Sequence, residues 1–277
     1  RDESMSPQIS VAQQSPSTRG QIALVYGIAL ATAAVVIAPM CALLWRSLTR
    51  TTPGATRFTL AGWRAVASST TLSAISTSML FALCAMVIAT VLGLMVALGV
   101  AYGSPRFLWL ERISVLPLTV SAVTIGLGIL ITYDTAPYDF RSAWIITPLA
   151  HSLIALPIVV RIVLPVVRQI PRGLQSVAST LGATPLQTWL TVDRPLISRA
   201  IGASAAIAFA ISIGEFGATS FLTRRSSETL PVTISRLLSR PGDALRTQAY
   251  ALCVIIVVIS MIAIFLIDML RPSRKAK

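Results

Sequence analysis

Six runs of the chain carry almost no charge and are separated by short polar segments: Ile22 to Leu44, Leu72 to Tyr102, Ile113 to Tyr133, Ala143 to Val167, Ala200 to Leu222 and Ala249 to Leu270. About 20 apolar residues suffice to cross a hydrocarbon layer as a helix. The pattern therefore predicts an all-α fold, a polytopic membrane helix bundle with about six transmembrane helices. The second run is too long for one perpendicular crossing and must tilt or extend beyond the bilayer. Pro117, Pro148, Pro157 and Pro165 punctuate the third and fourth runs. Inside a bundle, neighbouring helices can satisfy the carbonyls that proline leaves free. Gly126, Gly128, Gly202, Gly214 and Gly217 offer small surfaces for close helix approach.

Residues 1–20 are rich in Ser, Gln and Pro without apolar periodicity, the composition of a disordered tail. The sequence starts at Arg1, so either Met5 is the natural start or the chain is cut from something longer. This gives a tail (1–20), a six-span domain (21–271) containing a polar connection at 169–195, and a basic C-terminal tail (272–277).

Composition agrees with the pattern. Only 12% of the 277 residues are charged and 55% are hydrophobic, where a soluble domain carries about 25% charged residues. The net charge of +13 does not point to nucleic acid, because the basic residues are scattered between the spans with no aromatic interleaving or stripe. Anionic membrane lipid is sufficient reason for excess positive charge. Cys41, Cys84 and Cys253 each lie inside an apolar run without metal-ligand spacing and read as packing residues. His151, the single histidine, reads the same way, so no metal or other cofactor is expected. With both termini in the cytoplasm, 13 of the 23 Lys and Arg fall on the cytoplasmic side, a small bias in the positive-inside direction.

The polar connection between the fourth and fifth runs is unusually well specified. Pro171 suits a first helical turn, and Gly182 can end that helix in the left-handed conformation. Thr184, Pro185 and Gln187 spell the cap, first turn and capping box of a second helix. Asp193 suits the N-cap of the fifth span, with Pro195 in its first turn. The result is a two-helix elbow with an apolar side: Leu174, Val177, Leu181, Leu186, Trp189 and Leu190. Such an elbow fits either a partner protein or an interfacial hairpin lying on the membrane.

This segment resembles the cytoplasmic coupling loop of ABC importer permeases, whose pattern is E-A-A-x3-G-x9-I-x-L-P. Gly182 and Pro195 keep its spacing, Ala178 stands at the second alanine and Val192 at the aliphatic position. Ser176 replaces the glutamate, Val177 the first alanine, and Arg194 the usual leucine. Leu116–Gly128, Pro148–Pro157, Ser212–Leu222 and Thr229–Ile234 are similar to iron(III)- and thiamine-type permeases, and the Gly-Glu-Phe-Gly element also recurs in molybdate- and sulfate-type permeases. The similarity covers about Ala61 to the C-terminus. It matches the second half of fused two-half permeases, and a stand-alone subunit that dimerises fits equally.

The resemblance implies a multi-pass permease of the inner membrane, surrounded by lipid, that is not itself an enzyme. Coupling to a nucleotide-binding ATPase subunit would run through Ser176, Val177, Ala178, Gly182, Thr184, Pro185, Val192 and Pro195. The chain has no G-x4-G-K-[ST] phosphate loop, so ATP would be bound by that partner. An extracytoplasmic substrate-binding protein and a second permease half, or a second copy of this chain, complete the implied assembly. Iron(III), thiamine or a related small solute would be the cargo. The alternative is a secondary transporter, or another polytopic membrane protein without ATPase coupling; a transporter of that kind calls for inverted repeats and intramembrane ion ligands.

Ser212 and Glu215 are the candidates for the translocation path or gate. An acid at the centre of a span costs about 2.5–3.5 kcal/mol to insert, so such residues tend to be functional. The other reading of Glu215 is structural: it lies near the outer end of the fifth span, or beyond a helix break at Gly214 and Gly217, hydrogen-bonded to backbone.

Overall fold

The computed structural model of the protein describes residues 18–52, 55–133, 144–224 and 227–269. Among these, five helices are long and apolar enough to cross a membrane, or six if one bent pair counts as a single span. The first, α1 (Arg19–Leu48), belongs up to Trp45 to a unit of its own. Its apolar side chains are exposed all round, Leu24, Leu30 and Val35 among them, as suits a helix whose solvent is lipid. Helix begins at Arg19, so the predicted tail gives way to structure just before residue 20. The rest of that tail, and the basic segment 272–277, lie outside the described residues.

The second unit begins with a feature the apolar pattern did not predict. Strands β1 (Thr49–Thr52) and β2 (Ala55–Phe58) form an antiparallel hairpin, Thr49 opposite Phe58 and Thr52 opposite Ala55. Then come α2 (Ala61–Val66) and α3 (Ser69–Tyr102), the long second span.

The third predicted span, Ile113 to Tyr133, is not one helix. A 3-10 turn (Pro105–Phe107), α4 (Leu108–Val115) and a second 3-10 turn (Leu116–Thr119) lead to an extended Val120, and α5 (Ala122–Tyr133) sets off at 99° to the preceding segment. Pro117 has no N–H to continue the α4 ladder, and the apolar run gave no hint of the bend.

The fourth span, α6 (Ile146–Arg168), stays helical through Pro157 and Pro165; Ala143, its predicted start, lies outside the described residues. After α7 (Arg172–Thr180) and α8 (Pro185–Thr188) comes α9 (Arg194–Ile213). The fifth predicted span, Ala200 to Leu222, is thus cut at Gly214, and its last residues form a separate short helix, α10 (Thr219–Leu222). The chain continues through α11 (Leu230–Leu238) to the sixth span, α12 (Asp243–Met269); Leu270 lies outside the described residues.

The core is where α3, α6 and α9 meet. Along α3 the buried face is a stripe of small residues, Ala82, Ala85, Ala89, Gly93 and Ala97, at helical spacing. Against it lie Val159, Val160, Val163 and Val167 of α6 and Ile197 and Ala200 of α9. Lipid tails are as apolar as leucine, so helices in a bilayer associate through close packing and buried hydrogen bonds. Both are present. A β-carbon added at Gly93 would sit 2.5 Å from Val159 Cγ1. The Leu230 N–H at the start of α11 donates to Ser78 Oγ of α3 at 2.7 Å, and Gln248 Nε2 of α12 donates to Thr71 Oγ1 and to the Ala65 carbonyl, both at 3.1 Å.

Gly93→Ala is therefore expected to force α3 and α6 apart and to destabilise the bundle by about 1–3 kcal/mol, the usual penalty for overpacking. Gly27→Ala, with open space at its β-carbon, should be neutral or slightly stabilising, since alanine is the better helix former. Thermal unfolding in nanodiscs checks the pair; equal midpoints would contradict the packing account.

Candidate functional site

Two sites are built from the residues the sequence singles out. In the elbow, Pro171 in extended backbone precedes α7. The helix ends with Gly182 at φ +80°. The Gly182 N–H donates to the Ser179 carbonyl and the Ala183 N–H to the Ala178 carbonyl, both at 3.0 Å, which is a complete Schellman turn. Just beyond it the capping box is present in full: Thr184 Oγ1 accepts from the Gln187 N–H at 3.3 Å, and Gln187 Oε1 accepts from the Thr184 N–H at 2.8 Å. Pro185 occupies the first turn of α8. Ser176 is exposed, and its carbonyl accepts hydrogen bonds from Ser179 Oγ and Thr180 Oγ1. Val177, Leu181 and Leu186 are exposed, Ala178 half-buried.

Both ends of the elbow are rooted in the core. Ile170, on the α6 side, and Trp189, on the α9 side, pack into the cluster formed by α3, α6 and α9. Beside the first root, the Arg168 guanidinium meets the Glu111 carboxylate of α4 through two hydrogen bonds, at 2.6 and 3.2 Å.

The junction with α9 differs from expectation. Asp193 makes no capping hydrogen bond; the backbone stays helical from α8 through a π-turn (Trp189–Asp193) into α9. A π-turn carries one extra residue per turn and often marks a functional site. Here it holds Val192, half-buried, and turns the Asp193 side chain inward, where Oδ1 accepts from Gln175 Nε2 at 2.9 Å and from Tyr102 Oη at 3.2 Å. Pro195 stands in the first turn of α9, with Val192 and Asp193 just before it. A cap was the wrong expectation because no helix starts at this point.

The second site lies at the break after α9. Glu215 is 8% exposed, and both carboxylate oxygens are engaged: Oε1 accepts from the Ala218 N–H at 3.0 Å, Oε2 from the Thr219 N–H at 3.1 Å and from Thr219 Oγ1 at 2.8 Å. The side chain thus caps α10. His151 of α6, expected only to pack, is buried but joins this cluster: Nε2 lies 2.6 Å from Thr219 Oγ1 and 3.4 Å from Glu215 Oε2, and Nδ1 lies 2.8 Å from Ser212 Oγ. Thr219 has one hydroxyl proton; with that proton given to Glu215, a neutral His151 would donate from Nε2–H to Thr219 and accept at Nδ1 from Ser212. Ser212 and Glu215 are thus brought together by a residue that the sequence alone marks only for packing. The signal that could have found it is the presence of the single histidine and an acid inside neighbouring apolar spans.

The break is also in close contact with the other one. A β-carbon at Gly126 of α5 would lie 2.5 Å from Ala218 Cα, and one at Gly217 would lie 3.1 Å from Ala122 Cβ. The start of α5 and the 214–219 turn therefore touch backbone to backbone.

Comparisons with known proteins agree with this architecture. The family model for binding-protein-dependent transport system inner membrane components matches residues 89–276. A putative 2-aminoethylphosphonate transport system permease protein of Salmonella typhimurium is 30% identical over 205 residues, 74% of each chain. The sulfate transport system permease protein CysT of the same organism is 27% identical, covering 76% of this chain and 79% of that one. The molybdenum transport system permease protein ModB of Escherichia coli is 29% identical, covering 60% and 78%. These names are phosphonate, sulfate and molybdenum systems, not the iron or thiamine systems that the motifs suggested. Among solved structures, a bacterial ABC transporter involved in the import of the acidic polysaccharide alginate matches with TM-score 0.68 at 15% identity, over 89% of this chain and 94% of that one, which is a likeness of fold.

Because both oxygens of Glu215 accept from donors, Glu215→Gln should not be silent: it sets an NH2 group against one of them. Each stranded donor costs about 1–3 kcal/mol. Glu215→Ala, which strands them all, should lower the unfolding midpoint further than Glu215→Gln, with both below wild type. An alanine variant as stable as wild type would contradict the capping role.

Proposed function

The chain belongs to the family of inner membrane components of binding-protein-dependent transport systems, the permeases of ABC importers, and from that premise we propose how it is driven and what class of solute it passes. The six-span domain, residues 21–271, sits in the inner membrane with both termini in the cytoplasm, and the 169–195 elbow is its contact with a separate nucleotide-binding ATPase subunit. The observation that carries this reading is the elbow's construction. A Schellman turn and a full capping box fix its corner, while Val177, Leu181 and Leu186 stay exposed on the outside of it. A soluble linker needs no such rigidity; a lever does, because a floppy joint would absorb the motion.

In this mechanism, closure of the ATPase subunits displaces α7 and α8. The push enters α6 through Ile170 and α9 through Trp189 and the π-turn, so the central helices move together. The bundle then rocks against a second permease half, or a second copy of the chain, and a substrate-binding protein delivers solute to the outer face. The contact between the 214–219 turn and α5 is the gate region, with Ser212 and Glu215 holding its shape.

The cargo is a small anion, an oxyanion or a phosphonate. The names of the relatives support this. The loops assigned to the outer face carry ten arginines and four carboxylates, Asp134, Asp139, Glu228 and Asp243, a field that draws anions.

Three measurements test these points. A β-carbon at Gly182 would meet nothing within 4 Å, so the only obstacle to a side chain there is φ +80°. Gly182→Val should therefore uncouple ATP hydrolysis from uptake in the assembled complex, while Gly182→Asn, which tolerates this conformation, should retain coupling; normal coupling in the valine variant removes the lever reading. In a cysteine-free background, a cysteine at position 184 should react only from the cytoplasm and one at position 229 only from outside. An exterior Thr184 would end the proposal. Finally, thermal shifts of the cognate binding protein should be produced by 2-aminoethylphosphonate, sulfate or molybdate, and a response to iron(III) or thiamine alone would overturn the anionic cargo while leaving the family untouched.

A further inference from the structure

We infer that Asp193 is a positioning residue that locks the elbow in register with the bundle, an inference that rests on the lever reading above. The apolar roots of the elbow, Ile170 and Trp189, hold it against the core, but apolar contact is non-directional and lets a short helix slide or rotate in place. Hydrogen bonds have direction. Asp193 accepts two through a single oxygen, one from Gln175 on α7 and one from Tyr102 at the cytoplasmic end of α3. Three elements separated in sequence by 18 and 91 residues thereby meet at one atom: the first elbow helix, the foot of α9 and the end of the longest span.

The local backbone is arranged for this. In an uninterrupted α-helix the ladder would pass position 193 with ordinary spacing; the π-turn from Trp189 to Asp193 changes the phase, and Asp193 is 6% exposed between α3 and α7. A buried carboxylate that accepts two hydrogen bonds is costly to strand and geometrically demanding. The coupling-loop pattern assigns nothing to this position, which falls between Val192 and Arg194. The consequence is mechanical. A displacement of α7 is delivered to α3 as well as to α6 and α9, so all three core helices receive it in the same step.

The test uses two readouts. In the permease alone, in nanodiscs, hydrogen exchange of the α7 amides reports the tether; in proteoliposomes with the ATPase and binding protein, uptake per ATP hydrolysed reports the coupling. Asp193→Ala should speed α7 exchange by about tenfold or more, the factor set by losing a hydrogen bond to a charged group, and should lower uptake per ATP hydrolysed several-fold. Asp193→Asn should stay near wild type in both, because one oxygen takes both hydrogen bonds. If the alanine variant does not assemble, Tyr102→Phe and Gln175→Leu, which remove one bond each, should move both readouts in the same direction by less. The inference is overturned by a wild-type uptake ratio in the alanine variant, or in both single-bond variants, even where exchange has risen, since the tether would then be structural only. It is also overturned if Asp193→Asn loses as much as Asp193→Ala. A wild-type complex with no ATP-dependent uptake would sink the importer reading instead, and the exchange measurement would still decide whether the tether exists.

Discussion

Inside a bilayer, a backbone N–H or C=O without a protein partner costs several kcal/mol, because no water is there to replace one. Where the helical ladder is intact, the spans satisfy this constraint by themselves. Where it is interrupted, specific chemistry is needed. At the 116–122 break, Thr119 Oγ1 donates to the Leu116 carbonyl at 2.7 Å. At the 214–218 break, the Glu215 carboxylate takes the first amides of α10, and Ser220 Oγ donates to the Gly217 carbonyl at 2.8 Å. The two breaks then pack on each other through Gly126 and Gly217, where backbone must approach backbone. Polar side chains gather at this contact because that is where the ladder fails.

The same constraint explains which parts were legible in the sequence. Signals confined to a few neighbouring residues could be read. Gly182, Thr184, Pro185 and Gln187 specify turn and cap within a few residues of one another, and the structure has that turn and that cap. Four of the six apolar runs correspond to single helices, within a few residues at most ends, while the third is bent and the fifth is cut at Gly214. What failed was anything set by a distant partner. His151 looked like packing because its partners lie 61 and 68 residues away. Asp193 looked like an N-cap because the residues after it are a good helix start, and nothing local reveals that the residues before it are helical too. The bend before α5 was invisible because an apolar run reads the same whether the chain continues straight or turns through 99°.

Rigidity and freedom are divided along the chain in a way that suits a lever. The α3 stripe of Ala82, Ala85, Ala89, Gly93 and Ala97 lets α6 and α9 approach closely, and a close-packed interior transmits displacement instead of absorbing it. The elbow is attached to that rigid part at both ends. The interrupted segments lie elsewhere in the fold, held by hydrogen bonds and by a smaller apolar cluster of Ala150, Ala218 and Leu222 with Ile129, Leu130 and Ile154, and the hydrogen bonds can be exchanged one for another at small net cost when partners shift together. Motion delivered at one end of the core can therefore be expressed at the breaks.

Interrupted helices are also a feature of secondary transporters, where half-helix ends and free carboxylates bind the coupling ion. The chemistry at this break is of a different kind. An ion site needs acceptors left over after the protein's own donors are counted. Here Glu215 Oε1 is occupied by one amide, and Oε2 by an amide and a hydroxyl; the two nitrogens of His151 are taken by Thr219 and Ser212. Three of the acceptor positions of the carboxylate are thereby given to the groups that shape α10. A carboxylate committed to holding the backbone in shape can serve an importer of anions and an importer of anything else alike. In the mechanism proposed above, the energy comes from a separate ATPase subunit and enters through the elbow.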